Sequence, residues 1–392
     1  MLGLFWRFFA TLFDWRTILR KFRRVSPLDV VCVTNMRDDT DRKLFLGRYK
    51  PSMGHYNGPR FYFHGVSGRT RAICSISEDI SHAHTAIKAK EQCISAIEYA
   101  QEKGAKIILL AASTKRLFGL HGEEIKDMFP GLLFTIGDNG TFFLLLSETL
   151  RAFNKAGLSP DNSRVCVVGP YGLLGELIIK HLVERKFSIV GLGSSQSRLD
   201  KMHEKYGIQT STTYEDLGKV DAVIACTHSK VVKLTKERVD LIRKPNQKLL
   251  VIDVSEPSNL TKAEYKKSKD FVIRQDAGNG YSPNLKYVLG VITYKMFRLT
   301  RGVTFGCFME ALVWQLAVRN NPTDIFFRSL DLFNINDENM KIISDLFKKY
   351  DVRIPYPRNF GKRVNSFNLN LKNDGNEQKQ INHVFEDETK ML

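Results

Sequence analysis

A cysteine stands in the segment "TFGCFMEAL" (residues 304–312), between a glycine and the start of a helical pattern. Phe308, Leu312, Val313 and Leu316 recur at helical spacing, which sets Cys307 at the helix N-terminus. There the positive end of the helix dipole favours a thiolate, lowers the thiol pKa and makes the sulfur nucleophilic. Gly306 leaves room for a substrate to approach. Such a thiolate can accept an acyl group, and a nicotinamide can then deliver hydride to the thioester. The competing role is packing, because free cysteine is among the most buried residue types. Glu310, one turn on, reads in its plainest form as an acid that complements the helix dipole.

A second motif, "VCVVGPYGLLGELIIKHL", places Gly169, Gly172 and Gly175 in a G-x-x-G-x-x-G pattern between a strand and a helix. Glycines let the backbone approach a pyrophosphate, and the helix that follows points free N–H groups at it. Tyr171, Leu173 and Leu174 belong to the same loop and helix start. Pro170 removes one backbone donor. The next strand ends "GLGSSQSR", without the acid that an NAD site offers to the ribose. Ser194, Ser195 and Arg198 could instead hold a 2′-phosphate, so NADPH is the expected cofactor. Cys226 and Thr227, in "ACTHS", end the following strand and are expected beside the nicotinamide, with Cys226 packing rather than reacting. The other outcome is a scaffold of this kind that has lost its cofactor.

The elements that must hold these groups follow from residue 164 onward. "RVCVVG", "FSIVGLG", "VDAVIACT" and "KLLVIDVS" are strands, and helical patterns separate them. This alternation predicts a doubly wound, Rossmann-type parallel sheet in an α/β protein. The expected division is an amphipathic helix at 1–24, an N-terminal α/β substrate domain at 25–140 and a connecting helix at 141–163. A Rossmann NADP-binding domain at 164–290 follows, then C-terminal helices at 291–355 and a disordered polar tail at 356–392. The N-terminal domain and the C-terminal helices together are expected to build the second, substrate-binding α/β domain. Thr141 is the expected N-cap of the connecting helix and Gly157 its stop.

Length and composition bound the function. The 392 residues are too many for one core, and six scattered cysteines argue for a reducing, cytosolic setting rather than a disulfide scaffold. The net charge of +17 favours acidic partners. No nucleic-acid-binding module is recognisable, so nucleic acid ranks low among them. The first 24 residues, "MLGLFWRFFATLFDWRTILRKFRR", carry an aromatic stripe and a basic end. They suit either a helix at a membrane interface or one packed on the protein's own core. His82 and His84 lack a third and fourth partner, so no metal site is expected.

Taken in order, "AIEYAQEKGAKIILLAA", "TIGDNGT", "GPYGLLGELI", "SRLDKM", "VIDVSEPSNL" and "FGCFMEAL" resemble the long-chain fatty acyl–acyl carrier protein reductases of cyanobacterial alkane biosynthesis. The resemblance spans roughly residues 85–350 and is most specific at the cysteine segment. It implies that Cys307 takes the acyl chain as a thioester and that NADPH reduces it to a fatty aldehyde. Acyl carrier protein or acyl-CoA would be the donor. Glu310 matches a family glutamate, and Asp253 matches a strand end that reads "IDGG" in the family and "IDVS" here. The chain departs from the family at Gly137-Asp138-Asn139, where the family has Gly-Asn-Thr, and at Pro170, Tyr171 and Ser194. Two rivals remain open. One is a Rossmann dehydrogenase of the shikimate or glutamyl-tRNA reductase kind acting on a small polar substrate. The other is a membrane-associated scaffold without turnover.

Overall fold

The structure, a computed structural model, describes residues 28–119, 121–227 and 229–371. The interfacial helix expected at 1–24 lies outside the described residues, as does the tail beyond 371. Six helices of eleven residues or more stand among the described residues. They are α1 (Ala83–Glu102), α2 (Asp138–Ala156), α3 (Leu173–Glu184), α4 (Gln196–Tyr206), α5 (Gly306–Asn320) and α6 (Asp337–Lys349). The chain divides into two compact units. One comprises the described residues up to Leu150 with Asp276–Arg363, the other Arg151–Gln275 with those from Val364.

The first unit is built on β1 (Val30–Met36), β2 (His55–Phe63), β3 (Val66–Ile76), β4 (Ile107–Leu110) and β5 (Leu133–Thr135). Its sheet runs, edge to edge, Lys286–Tyr287, β2, β3, β1, β4, β5. The strands from β3 to β5 are parallel, while β2 and Lys286–Tyr287 pair antiparallel. His64 and Gly65, both at positive φ, make the two-residue turn between β2 and β3. The central strand β1 is an apolar run because helices cover both of its faces. Val31 and Val33 meet Ala89, Cys93, Ala96 and Ile97 of α1. Val30 and Cys32 join the cluster that α5 fills with Met309, Leu312, Val313 and Leu316. This period-two division lays α5 on the sheet and fixes where its N-terminus stands.

The second unit holds β6 (Arg164–Val168), β7 (Ser188–Leu192), β8 (Gln209–Ser211), β9 (Ala222–Ala225), β10 (Leu249–Asp253) and β11 (Val272–Asp276). Their order is β8-β7-β6-β9-β10-β11. Strand β6 pairs parallel with both β7 and β9, so the winding reverses between β6 and β9. Ligands of open α/β sheets bind at such a reversal, beyond the carboxyl ends of the strands. The α/β, doubly wound fold is as the sequence indicated.

Three boundaries differ from expectation. Helix α2 begins at Asp138 rather than Thr141. Thr141 Oγ1 donates to the Gly137 carbonyl at 2.8 Å within the first turn and does not cap. Residues 276–290 belong to the first unit, because Asn279–Tyr281 pairs with Val303–Phe305 and Lys286–Tyr287 with β2. The tail expected to lack structure from 356 is ordered as far as 371. Phe367 and Leu369 are buried, and Lys248 N donates to the Leu369 carbonyl at 2.6 Å. The alternation in "NSFNLNL" supplies the apolar side chains that dock it. No described helix is long and apolar enough to cross a membrane.

Candidate functional site

In the second unit, the loop after β6 turns through Gly169 at φ +85° and enters α3 with Gly172 as its N-cap. A side chain at Gly175 would stand 2.1 Å from the Gly169 carbonyl oxygen, so α3 can start this close to the strand only with glycine there. A Cβ on Gly169 would lie 2.7 Å from that of Thr227. The glycine loop and the end of β9 therefore meet at the reversal of the sheet. Leu173 and Leu174 form the first turn of α3, with Leu173 exposed. No side chain caps this helix, so its first N–H groups are available to an anion.

At the end of β7, Tyr171 crosses the loop. Its hydroxyl accepts from Ser194 N at 2.8 Å and Ser195 N at 3.2 Å, and the Arg198 guanidinium lies 5.5 Å from its ring centre. Cys226 is held by its own N–H to the Val168 carbonyl at 2.9 Å. Burial, then Asp253, pushes its thiol well above the ordinary value, so it packs. Asp253 itself is buried against Arg274 at 2.9 Å and accepts from Ser255 N and Leu260 N. It fixes the turn after β10.

In the first unit, Cys307 is the second residue of α5, with Phe305 as N-cap. Gly137, at φ +74°, lies directly against it. A side chain there would come within 2.2 Å of the Cys307 Cβ. Glu310 is fully buried and binds the same loop. Gly140 N donates to its Oε2 at 2.6 Å, Thr135 Oγ1 donates to Oε1, and Gly137 N donates to Thr135 Oγ1 at 2.9 Å. Asp138, buried, is ion-paired with Lys115, which keeps part of its surface exposed.

The electrostatics correct one expectation. The Cys307 thiol is not lowered; it is pushed up to about 12, by burial first and then by Asp138 and Glu310, while Lys115 opposes. Here burial and two carboxylates outweigh the helix dipole. The residue keeps part of its surface exposed, so its burial is not complete. Glu310 is raised to about 7, by burial above all, against the hydrogen bonds from Thr135 and Gly140.

A family model described as Shikimate / quinate 5-dehydrogenase matches residues 152–276, less than half of the chain. The second unit is a Rossmann oxidoreductase domain. No curated protein matches the chain. Among solved structures it is similar to the nucleotide-binding domain of glutamyl-tRNA reductase from Thermoplasma volcanium, at 20% identity over 33% of this chain and 84% of that one, TM-score 0.26. L-tryptophan dehydrogenase from Nostoc punctiforme is similar at 9% identity over 82% and 80%, TM-score 0.37. Shikimate dehydrogenase from Aquifex aeolicus is similar at 14% identity over 63% and 86%, TM-score 0.35.

The Rossmann unit gathers Gly169, Tyr171, Gly172, Leu173, Leu174, Gly175, Cys226 and Thr227 around one loop, and Ser194, Ser195 and Arg198 at one strand end. These residues fit a dinucleotide: the cradle admits no Cβ at Gly175, and no side chain caps the first N–H groups of α3. In the first unit Cys307 and Glu310 share one loop contact. The sequence reading missed Lys115, Asp138 and Thr135. Each stands at or just beyond the carboxyl end of a parallel strand, β4 or β5, and that position was the available signal.

Proposed function

We propose that the chain is an NADPH-dependent oxidoreductase that reduces an acyl thioester to an aldehyde through a thioester on Cys307. The observation that carries this reading is the position of Cys307 in the first turn of α5, with the Lys115–Asp138 pair acting on its thiol. Gly169, Gly172 and Gly175 would hold the pyrophosphate of NADPH, and Ser194, Ser195 and Arg198 its 2′-phosphate. Bound NADPH supplies the hydride.

The thiol is protonated at neutral pH, so attack on a thioester carbonyl needs a proton acceptor. Asp138 is that acceptor, because both Glu310 oxygens are already taken by Thr135 and Gly140. The sulfur bonds to the acyl carbon and the carrier thiol leaves with the proton. After reduction the aldehyde departs and the Cys307 sulfur takes a proton from Lys115, which its partly exposed ammonium regains from solvent. Glu310 is a positioning residue that ties the 135–140 loop to the turn bearing Cys307. The net charge of +17 supports an acidic donor, such as acyl carrier protein, over a neutral one. Acyl-CoA is the simpler surrogate. Peripheral membrane contact through residues 1–24 belongs to the same proposal and rests on their aromatic and basic pattern.

A second reading is a dehydrogenase of the shikimate kind, in which Lys115 and Asp138 exchange a proton with the hydroxyl of a small polar substrate and Cys307 only packs. The match over residues 152–276 favours it over the covalent reading as regards the Rossmann unit. The substrate chemistry resides in the first unit, which that match does not reach. NADPH oxidation with acyl-CoA, and NADP reduction with shikimate or quinate, measured on the wild type and Cys307→Ala, separate the two. The covalent reading predicts aldehyde from acyl-CoA, abolished in Cys307→Ala. Turnover of the hydroxy acid that Cys307→Ala retains would replace it with the second.

A further inference from the structure

The Tyr171 hydroxyl sits between two backbone donors and a serine hydroxyl. It accepts from Ser194 N at 2.8 Å and Ser195 N at 3.2 Å and shares a hydrogen bond with Ser194 Oγ at 3.1 Å. One phenolic oxygen thereby has both acceptor sites and its proton engaged. Its ring lies over Gly193, where a Cβ would approach within 2.4 Å. Glycine at 193 is thus what lets the ring cross to the strand end. Arg198 completes the group from the ring face. Two adjacent backbone N–H groups, a serine hydroxyl and a guanidinium are the set that holds a phosphate monoester. Here they are arranged about a neutral oxygen.

We propose that the Tyr171 hydroxyl and the 2′-phosphate of NADPH compete for the same donors, so that Tyr171 sets how strongly the protein prefers NADPH to NADH. The inference rests on the reading of this strand end as the 2′-phosphate subsite. A dinucleotide with a 2′-phosphate must take the Ser194 and Ser195 N–H groups from the phenol. One without it leaves those hydrogen bonds in place. Tyr171 therefore acts against NADPH and is indifferent to NADH, whereas Arg198 favours NADPH alone. Removing the hydroxyl while keeping the ring frees the donors without altering any stacking that the ring provides.

The test is calorimetric binding of NADPH, NADH and adenosine 2′,5′-bisphosphate to the full chain, as wild type, Tyr171→Phe and Arg198→Ala. Tyr171→Phe should bind NADPH and the bisphosphate about 3- to 10-fold more tightly, the worth of one or two exchanged hydrogen bonds. NADH should change by less than about twofold on the same reasoning. Arg198→Ala should weaken only the two phosphorylated ligands. Equal changes for NADPH and NADH in Tyr171→Phe, or weaker NADPH binding, would overturn the inference and leave the cofactor reading standing. A wild type that binds none of the three ligands would overturn that reading and the inference with it.

Discussion

Lys115 and Asp138 form an ion pair that acts on the Cys307 thiol, with the carboxylate 6% exposed and the ammonium 26% exposed. The two residues leave neighbouring parallel strands, Lys115 after β4 and Asp138 after β5. The pair pulls on the thiol in opposite directions. Asp138 disfavours the thiolate and Lys115 favours it.

Alkylation by iodoacetamide reads that balance directly. With the thiol near 12, the rate at Cys307 should be low at pH 7 and rise about tenfold per pH unit up to pH 9 and beyond. Asp138→Asn removes a raising charge and should speed alkylation at a given pH. Lys115→Met removes the lowering charge and should slow it. Peptide mass mapping isolates Cys307 from the other five cysteines. A fast, pH-independent reaction in the wild type would contradict the electrostatics.

Turnover should fall about 10²- to 10⁴-fold in both Lys115→Met and Asp138→Asn, the usual range for losing a positioned proton donor or acceptor. The double variant should be little worse than either single one, because the pair acts as a unit. Steady-state kcat on a common substrate checks this, and additive losses would separate the two roles.

Glu310 gives a pH-dependent stability with a definite sign. Its carboxyl titrates near 7 folded against 4.5 unfolded, so between those values the folded form holds a proton that the unfolded form has released. Stability from this group is therefore full below about 4.5 and falls as pH rises through 7. His55 works the other way. Burial and then Arg71 lower it to about 4, so its contribution is present above 6.5 and lost as pH falls through 4. Comparing urea denaturation of wild type and Glu310→Gln cancels His55. The variant should gain about 1–3 kcal/mol relative to wild type between pH 5 and pH 8.

Gly137→Ala should cost about 1–3 kcal/mol, because the new methyl meets Cys307 at 2.2 Å and the residue must keep φ at +74°. Gly175→Ala should weaken NADPH by at least about tenfold through a shift of the phosphate loop. It should leave the Cys307 alkylation rate unchanged, since the two glycines stand in different units. Chemical denaturation and calorimetry report the two effects separately.

The Rossmann unit was legible because its signals are local. A strand, a glycine loop and a helix follow one another between Arg164 and Glu184, and side-chain period alone identifies each. Cys307 at the head of α5 was legible for the same reason. The Lys115–Asp138 pair was not, since 23 residues separate them and only the β4–β5 pairing brings them together. The direction of the thiol shift was hidden too. The dipole is a property of one helix, and so is Glu310, whereas burial and the Asp138 carboxylate come from the 135–140 segment folding onto it. The tail to 371 was misread because its polar composition masked the alternation of Phe367 and Leu369, which dock beside Asn246 and Lys248.

The proposed reaction places the substrate carbon on Cys307. Intact-protein mass spectrometry after mixing the chain with acyl carrier protein bearing a long acyl chain, without NADPH, tests it most directly. Acylation of Cys307 gives a mass gain equal to one acyl group, absent in Cys307→Ala and released as aldehyde when NADPH is added. No acyl adduct from acyl carrier protein or acyl-CoA, in a protein that binds NADPH, would contradict it and leave the direct dehydrogenase in its place.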